Sequence, residues 1–248
     1  MTVATDHRGR PVSRRRRAVL EGGDLAPLEV LIDDLGSRPV VVIGSAPIEG
    51  VLRWTKGTAV VTVNGSLSSI RERVPDVHLM NARVGPHVTW NKERRALNAA
   101  MFAQSADRHV RTLALLPVTE VGAEEATLER LRRQGTTWDR VMSITKATKV
   151  LLAHNVGALD RERDRHLSVS AGMFGVLLAL WAGASSVRTE GFSFDAGYAY
   201  LAPELVPENS RGHLRGDKTA IVNIREKFGP RVMGDLFTRR TQQTPRRT

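Results

Sequence analysis

Several short stretches of this chain are predominantly apolar, rich in β-branched or aliphatic residues without apolar–polar alternation, and end on a small or polar residue. Pro39-Val40-Val41-Val42-Ile43 stops at Gly44, and Thr58-Ala59-Val60-Val61-Thr62-Val63 stops at Asn64-Gly65. Asp76-Val77-His78-Leu79-Met80 ends at Asn81, and Arg111 to Leu116 is closed by Pro117. A strand with one wet face would alternate apolar and polar residues, so uninterrupted runs of this length predict strands covered on both faces, as in a parallel sheet. A further strand is expected at 185–190, ending in Gly191.

Helix-like segments separate these runs. Leu67–Arg73, Lys92–Gln104, Glu124–Arg133, Lys146–Asn155, Ala171–Gly183 and Asp217–Phe228 carry the helical pattern, and the last stops at Gly229-Pro230. Strands alternating with helices predict an α/β fold built on a single doubly wound, mostly parallel sheet. There is no internal repeat and no Pro-rich linker, so one domain is expected over residues 21–237. Residues 1–20 and 238–248 are expected to be basic tails, the first of them disordered.

Charge supports that division. The chain is +11 overall, yet residues 1–20 carry +5 and residues 238–248 carry +4, which leaves only +2 for the 217 residues between. The basicity therefore belongs to the tails and not to a face of the fold, which argues against nucleic acid as a partner. Arg14-Arg15-Arg16-Arg17 suits docking on an anionic membrane surface, or a solvated arm. The polar N-terminus lacks the apolar core of a signal peptide. The 21 uncharged residues Leu167–Val187 are diluted by serine and glycine and read as a buried helix running into a strand. The expected location is cytoplasmic, with peripheral membrane attachment through the arginine run as the alternative to a solvated arm. The absence of cysteine excludes a disulfide scaffold, a thiol nucleophile and thiolate-ligated zinc.

Ligands of open α/β sheets bind outside the carboxyl ends of the strands. The residues there are Gly44-Ser45-Ala46-Pro47, Asn64-Gly65-Ser66 and Asn81-Ala82-Arg83. Gly44 allows close backbone approach, and the amides Asn64 and Asn81 offer donor and acceptor together to a ribose, a base edge or a sugar. All three segments also suit ordinary turns. No dinucleotide fingerprint, phosphate-binding P-loop, nucleophile elbow or His-Glu-x-x-His is present, and no acidic motif suggests a metal site.

A second informative region is 168–218. Ser168-Val169-Ser170-Ala171-Gly172 leads into the apolar helix, where hydroxyls and amides would meet an anion. Both tyrosines of the chain, Tyr198 and Tyr200, fall in Gly191-Phe192-Ser193-Phe194-Asp195-Ala196-Gly197-Tyr198-Ala199-Tyr200. His213 stands between glycines before a helix and is a candidate general base, with Asp217 as its orienter, as the base itself, or as a helix cap.

The order Gly-Ser-Ala-Pro, strand-Asn-Gly, Pro-Asp-Val-His-Leu-Met-Asn, Ser-Ala-Gly-helix, Glu-Gly-Phe-Ser-Phe, Gly-Tyr-Ala-Tyr and His-Leu-Arg-Gly-Asp-Lys resembles bacterial sialyltransferases of glycosyltransferase family 42. It also resembles the sialyltransferase-like proteins grouped with family 29. The similarity covers about residues 38–228, and this chain departs from the family pattern at Ala46, Ala171 and Phe194-Asp195. The resemblance implies a Rossmann-like, GT-A-type glycosyltransferase variant. It would transfer sialic acid or a related keto-sugar from a CMP-activated donor to a glycan hydroxyl, with inversion and without a metal or other cofactor. It would also imply that Gly44, Ser45 and Asn64 contact the nucleotide and Asn81 the donor or acceptor. Ser170 and Gly172 would touch the nucleotide or the sugar carboxylate, and Tyr198, with Tyr200 beside it, would hold the leaving phosphate. The base would come from the loop of His213 and Asp217. Two other readings fit the same residues: a pterin-type pyrophosphokinase or other nucleotide-using α/β enzyme, and a non-catalytic binder of nucleotides or polyanions.

Overall fold

The structure is a computed structural model that describes residues 24–48, 50–70, 72–81, 92–116, 122–194, 197–200 and 213–237. Both tails, with Arg14–Arg17, lie outside the described residues, as do Ala82 and Arg83.

Seven strands form one sheet in the order β5-β4-β3-β2-β1-β6-β7, with every pairing parallel. They are β1 (Pro39–Ile43), β2 (Ala59–Val63), β3 (Val77–Asn81), β4 (His109–Leu116), β5 (Thr137–Ser143), β6 (Ser186–Glu190) and β7 (Val232–Gly234). The continuous apolar runs occupy its centre, where burial on both faces demands them. In β1, Val40 and Val42 enter one core while Val41 and Ile43 enter the other. The chain winds outward from β1 to β5, then returns to the other side of β1 with β6. That reversal makes the carboxyl end of β1 the topological switch point.

The larger core lies under α1 (Val30–Leu35), α4 (Lys146–Asn155), α5 (Ala171–Trp181) and α6 (Leu214–Phe228). The smaller one lies under the 3₁₀ turn Asn64–Ile70 together with α2 (Lys92–Ala103) and α3 (Ala123–Arg133). The 21-residue uncharged stretch resolves into α5, an 11-residue helix with nine buried positions, followed by β6. Such burial stabilises by about 1.5–3 kcal/mol for a side chain such as Phe174, which is 0% exposed. Gly175 lets the helix sit low on the sheet, since a Cβ there would lie 3.0 Å from Val42 Cγ1 and 3.1 Å from Leu79 Cδ1. Among the described residues no helix is long and apolar enough to cross a membrane.

Four elements differ from the sequence reading. Residues 64–70 form a 3₁₀ turn directly after β2, where an α-helix over 67–73 was expected; Asn64 starts it in a left-handed conformation, φ 53°. The last helix begins at Leu214, three residues before Asp217, so Asp217 is a first-turn residue and not the cap. The edge strands β5 and β7 are absent from the sequence pattern. In β5, residues 137, 139, 141 and 143 are exposed, so no selection for a continuous apolar run operates there.

Candidate functional site

The carboxyl ends of β1, β2 and β3 are stitched together by side chains. Ser45 Oγ donates to Val63 O at 3.0 Å, tying the turn after β1 to the end of β2. Asn64 Oδ1 accepts from the Asn81 amide at 3.0 Å and joins the ends of β2 and β3. The left-handed backbone of Asn64 is one that asparagine tolerates better than most residues, which explains an amide here beyond any role in binding.

A segment far along the chain closes over this edge. The Ala199 amide donates to Ser45 O at 2.8 Å. Its two neighbours form a ring pair, Tyr198 and Tyr200, with centroids 5.5 Å apart. Tyr200 packs against Gly65, where a Cβ would come within 2.1 Å of the ring. Glycine after β2 is thus a seat for an aromatic side chain. The structure therefore brings together Gly44, Ser45, Asn64, Asn81, Tyr198 and Tyr200, which the sequence scatters over more than 150 positions.

The other sequence-predicted residues meet at the adjoining N-termini of α5 and α6. Ser170 caps α5, its Oγ accepting from the Met173 amide at 3.1 Å. The Ser170 amide donates to Asp217 Oδ1 at 2.8 Å. His213 Nδ1 and Ser168 Oγ are 2.7 Å apart. Gly216 allows this close seam, since a Cβ there would stand 2.1 Å from Ser168 O. Burial pushes the Asp217 carboxyl up to about 6, against the hydrogen bonds from Ser170 and the more distant charge of Lys149, which pull it down. Its residue surface is partly open, so water moderates that effect.

Phe192 links the two groups. A Cβ on Gly44 would lie 3.0 Å from its ring, and one on Gly172 would lie 2.5 Å from it. The close approach that requires glycine at 172 is therefore made to Phe192, while at 44 the nearest atom is Gly191 O, 2.4 Å from where a Cβ would stand. Asp235 Oδ2 accepts from the Phe192 amide at 3.2 Å and holds this ring from β7's far end. Phe192, Ser168 and Asp235 complete the site. The sequence reading noted the first two only as parts of longer stretches, and Asp235 stands in no motif. Among the described residues no three His, Asp or Glu side chains cluster to hold a metal ion.

No family model matches the chain, and no curated protein matches it. Solved structures do resemble it. The sialyltransferase CstII from Campylobacter jejuni in complex with the substrate analogue CMP-3FNeuAc is 11% identical, covering 79% of this chain and 80% of its own, with a TM-score of 0.47. CST-II with trisaccharide acceptor and CMP is 10% identical, covering 79% and 80%, at 0.47. The monofunctional α-2,3-sialyltransferase Cst-I from Campylobacter jejuni is 9% identical, covering 79% and 75%, at 0.49.

Proposed function

We propose that this chain is a glycosyltransferase that moves a sugar, sialic acid or a related keto-sugar, from a CMP-activated donor to a glycan hydroxyl. The observation that carries this reading is the closure of the Tyr198–Tyr200 segment onto Ser45 and Gly65. It gathers amides, hydroxyls and phenols, with few fixed charges, at the switch point of a parallel sheet. That chemistry suits a nucleoside and a sugar better than a polyanion.

In the proposed reaction the acceptor oxygen attacks the anomeric carbon as the bond to the CMP phosphate breaks, and the phosphate leaves with the electron pair. Tyr198 and the amide end of α5 receive the developing negative charge without a metal. The acceptor proton passes to His213, whose ring is held through Nδ1 by Ser168. Asp217 serves to keep α5 and α6 in register, because its Oδ1 is already engaged by the Ser170 amide.

Thermal unfolding with nucleotides tests the reading. At 100 times its dissociation constant a ligand adds about 2.7 kcal/mol of stability. CMP is expected to raise the melting temperature while UDP, GDP and ATP leave it unchanged. Transfer from CMP-sialic acid is expected to survive EDTA. His213→Ala is expected to abolish transfer while CMP affinity stays within about twofold, as for loss of a proton acceptor only. Failure of CMP to stabilise the protein, or transfer retained by His213→Ala, overturns the reading or its base respectively.

A further inference from the structure

At the opposite edge of the sheet, below the amino ends of β1 to β4, lies a groove of about 470 Å³. Its wall includes Arg38, Arg73, Arg111, Trp54, Asp76 and Glu72. Strands of five residues separate it from the site above by on the order of 15 Å. Asp76 is the centre of its construction. The carboxylate, 4% exposed, accepts from Arg38 Nη1 at 3.1 Å and Arg111 Nη1 at 3.0 Å through one oxygen, and from the Val60 amide at 2.8 Å through the other. One negative charge thus orients two guanidinium groups. Arg73 adds a third: it donates to the neutral carbonyl of Thr58 and lies 5.2 Å over the Trp54 ring.

Three arginines against two carboxylates leave the groove with a surplus positive charge, and Glu72 is exposed at its rim. Arg111 remains 58% exposed even while one of its nitrogens is held. A guanidinium fixed by one edge with the other open to a concavity is set up for fork-like recognition of an oxyanion. We infer that this groove is a binding site for a small phosphate-bearing ligand, whose oxygens are taken by Arg111, Arg73 and Arg38. The site is independent of the proposed sugar transfer, shares no residue with it, and stands if that reading fails.

The test titrates the full-length chain with inorganic phosphate at constant ionic strength, using chloride as the control anion and calorimetry as the readout. A saturable site is expected. Arg111→Gln is expected to weaken it by about tenfold or more, as for loss of a charge-assisted contact. Glu72→Gln removes a like charge from the rim and is expected to tighten binding about threefold. A gain of affinity cannot come from misfolding, so this variant decides the matter even if the arginine variants are unstable. Arg133→Gln, which alters an exposed ion pair with Glu129 elsewhere, is expected to change nothing. Phosphate affinity unmoved by both Arg111→Gln and Glu72→Gln, or no saturable site at all, overturns the inference. Ribose 5-phosphate and phosphate compared on the same protein then separate an ester from the free anion.

Discussion

Asp76 and Asp217 are the same residue placed at opposite edges of one sheet, and their surroundings differ in kind. Asp76, 3% exposed, faces two guanidinium groups and a backbone amide. Asp217 has hydrogen bonds from Ser170 and only a remote cation in Lys149, and burial raises its pKa to about 6. The first carboxylate is compensated where it is buried. The second is held in a place that disfavours its charge, at the edge where the candidate site lies. Both carboxylates tie backbone segments together, the first with two guanidinium groups beside it and the second with none in direct contact.

The strongest way to break this contrast is Asp76→Ala. It leaves the Val60 amide without its acceptor and two guanidinium groups facing one another, so the loss is expected to be about 3 kcal/mol. For a chain of this size the melting temperature falls by roughly 6–12 °C, by the usual 2–4 °C per kcal/mol. Urea unfolding checks it. A loss under about 1 kcal/mol would place Asp76 among ordinary surface ion pairs.

Asp217→Asn is expected to act in the opposite direction. The folded state binds the Asp217 proton more tightly than the unfolded chain does, since its pKa rises from 3.8 to about 6. Between those two values the native state holds more protons, so stability falls as pH rises and levels off above about 6. Two pKa units correspond to nearly 3 kcal/mol, and the open rim of the residue reduces this to about 1–2 kcal/mol. Asparagine keeps an acceptor for the Ser170 amide and carries no charge. The variant is expected to be more stable than the parent at pH 7 by that amount, with the two curves converging near pH 4. A variant less stable at pH 7 would mean that the charge of Asp217 is needed by the fold.

The sheet was legible in the sequence because its central strands are buried on both faces, and no other environment demands Pro39-Val40-Val41-Val42-Ile43 as written. Where burial is one-sided the pattern fades, as in β5, or the element is too short to show one, as in the three residues of β7. The site was legible as a set of residue types at strand ends, and the arrangement was not. That Tyr200 sits on Gly65, or that Phe192 lies against glycines 44 and 172, depends on contacts across 135, 148 and 20 positions of the chain. Gly44 and Gly65 looked like phosphate-binding or turn glycines, yet what approaches Gly65 is the Tyr200 ring, and what approaches Gly44 is the Gly191 carbonyl with the Phe192 ring behind it. The amino-edge arginines stand in no motif: Arg38, Arg73 and Arg111 belong to separate segments and converge because Asp76 lies level with Arg111 in the β3–β4 pairing.

Gly65→Ala sharpens the contrast without touching a charge. The new methyl must displace Tyr200, while the helical backbone of residues 64–70 accepts alanine readily. Stability is expected to change by less than about 1 kcal/mol, since a side chain at the rim can move aside. CMP stabilisation, read by thermal shift, is expected to disappear, while phosphate binding at the amino edge is unchanged. Loss of both would mean that the two edges are coupled through the sheet.

Ser168→Ala carries the smallest expected effect and concerns the neutral contact of the carboxyl edge. Its hydroxyl lies 2.7 Å from His213 Nδ1 and fixes the ring in one orientation. Removing a hydrogen bond between two partly exposed groups costs about 0.5–1 kcal/mol, so unfolding alone will barely register it. The imidazole nitrogens report it directly. Loss of the hydroxyl at Nδ1 in Ser168→Ala is expected to change the separation of the two ¹⁵N shifts of His213. Ser168→Thr keeps the hydroxyl and is expected to restore the separation. If His213 is the proton acceptor, the alanine variant lowers kcat with CMP-sialic acid while KM stays near its original value, because orientation matters in the transition state and not in donor binding. A rise in KM at constant kcat would instead make Ser168 a contact to the donor, and would move the base away from His213.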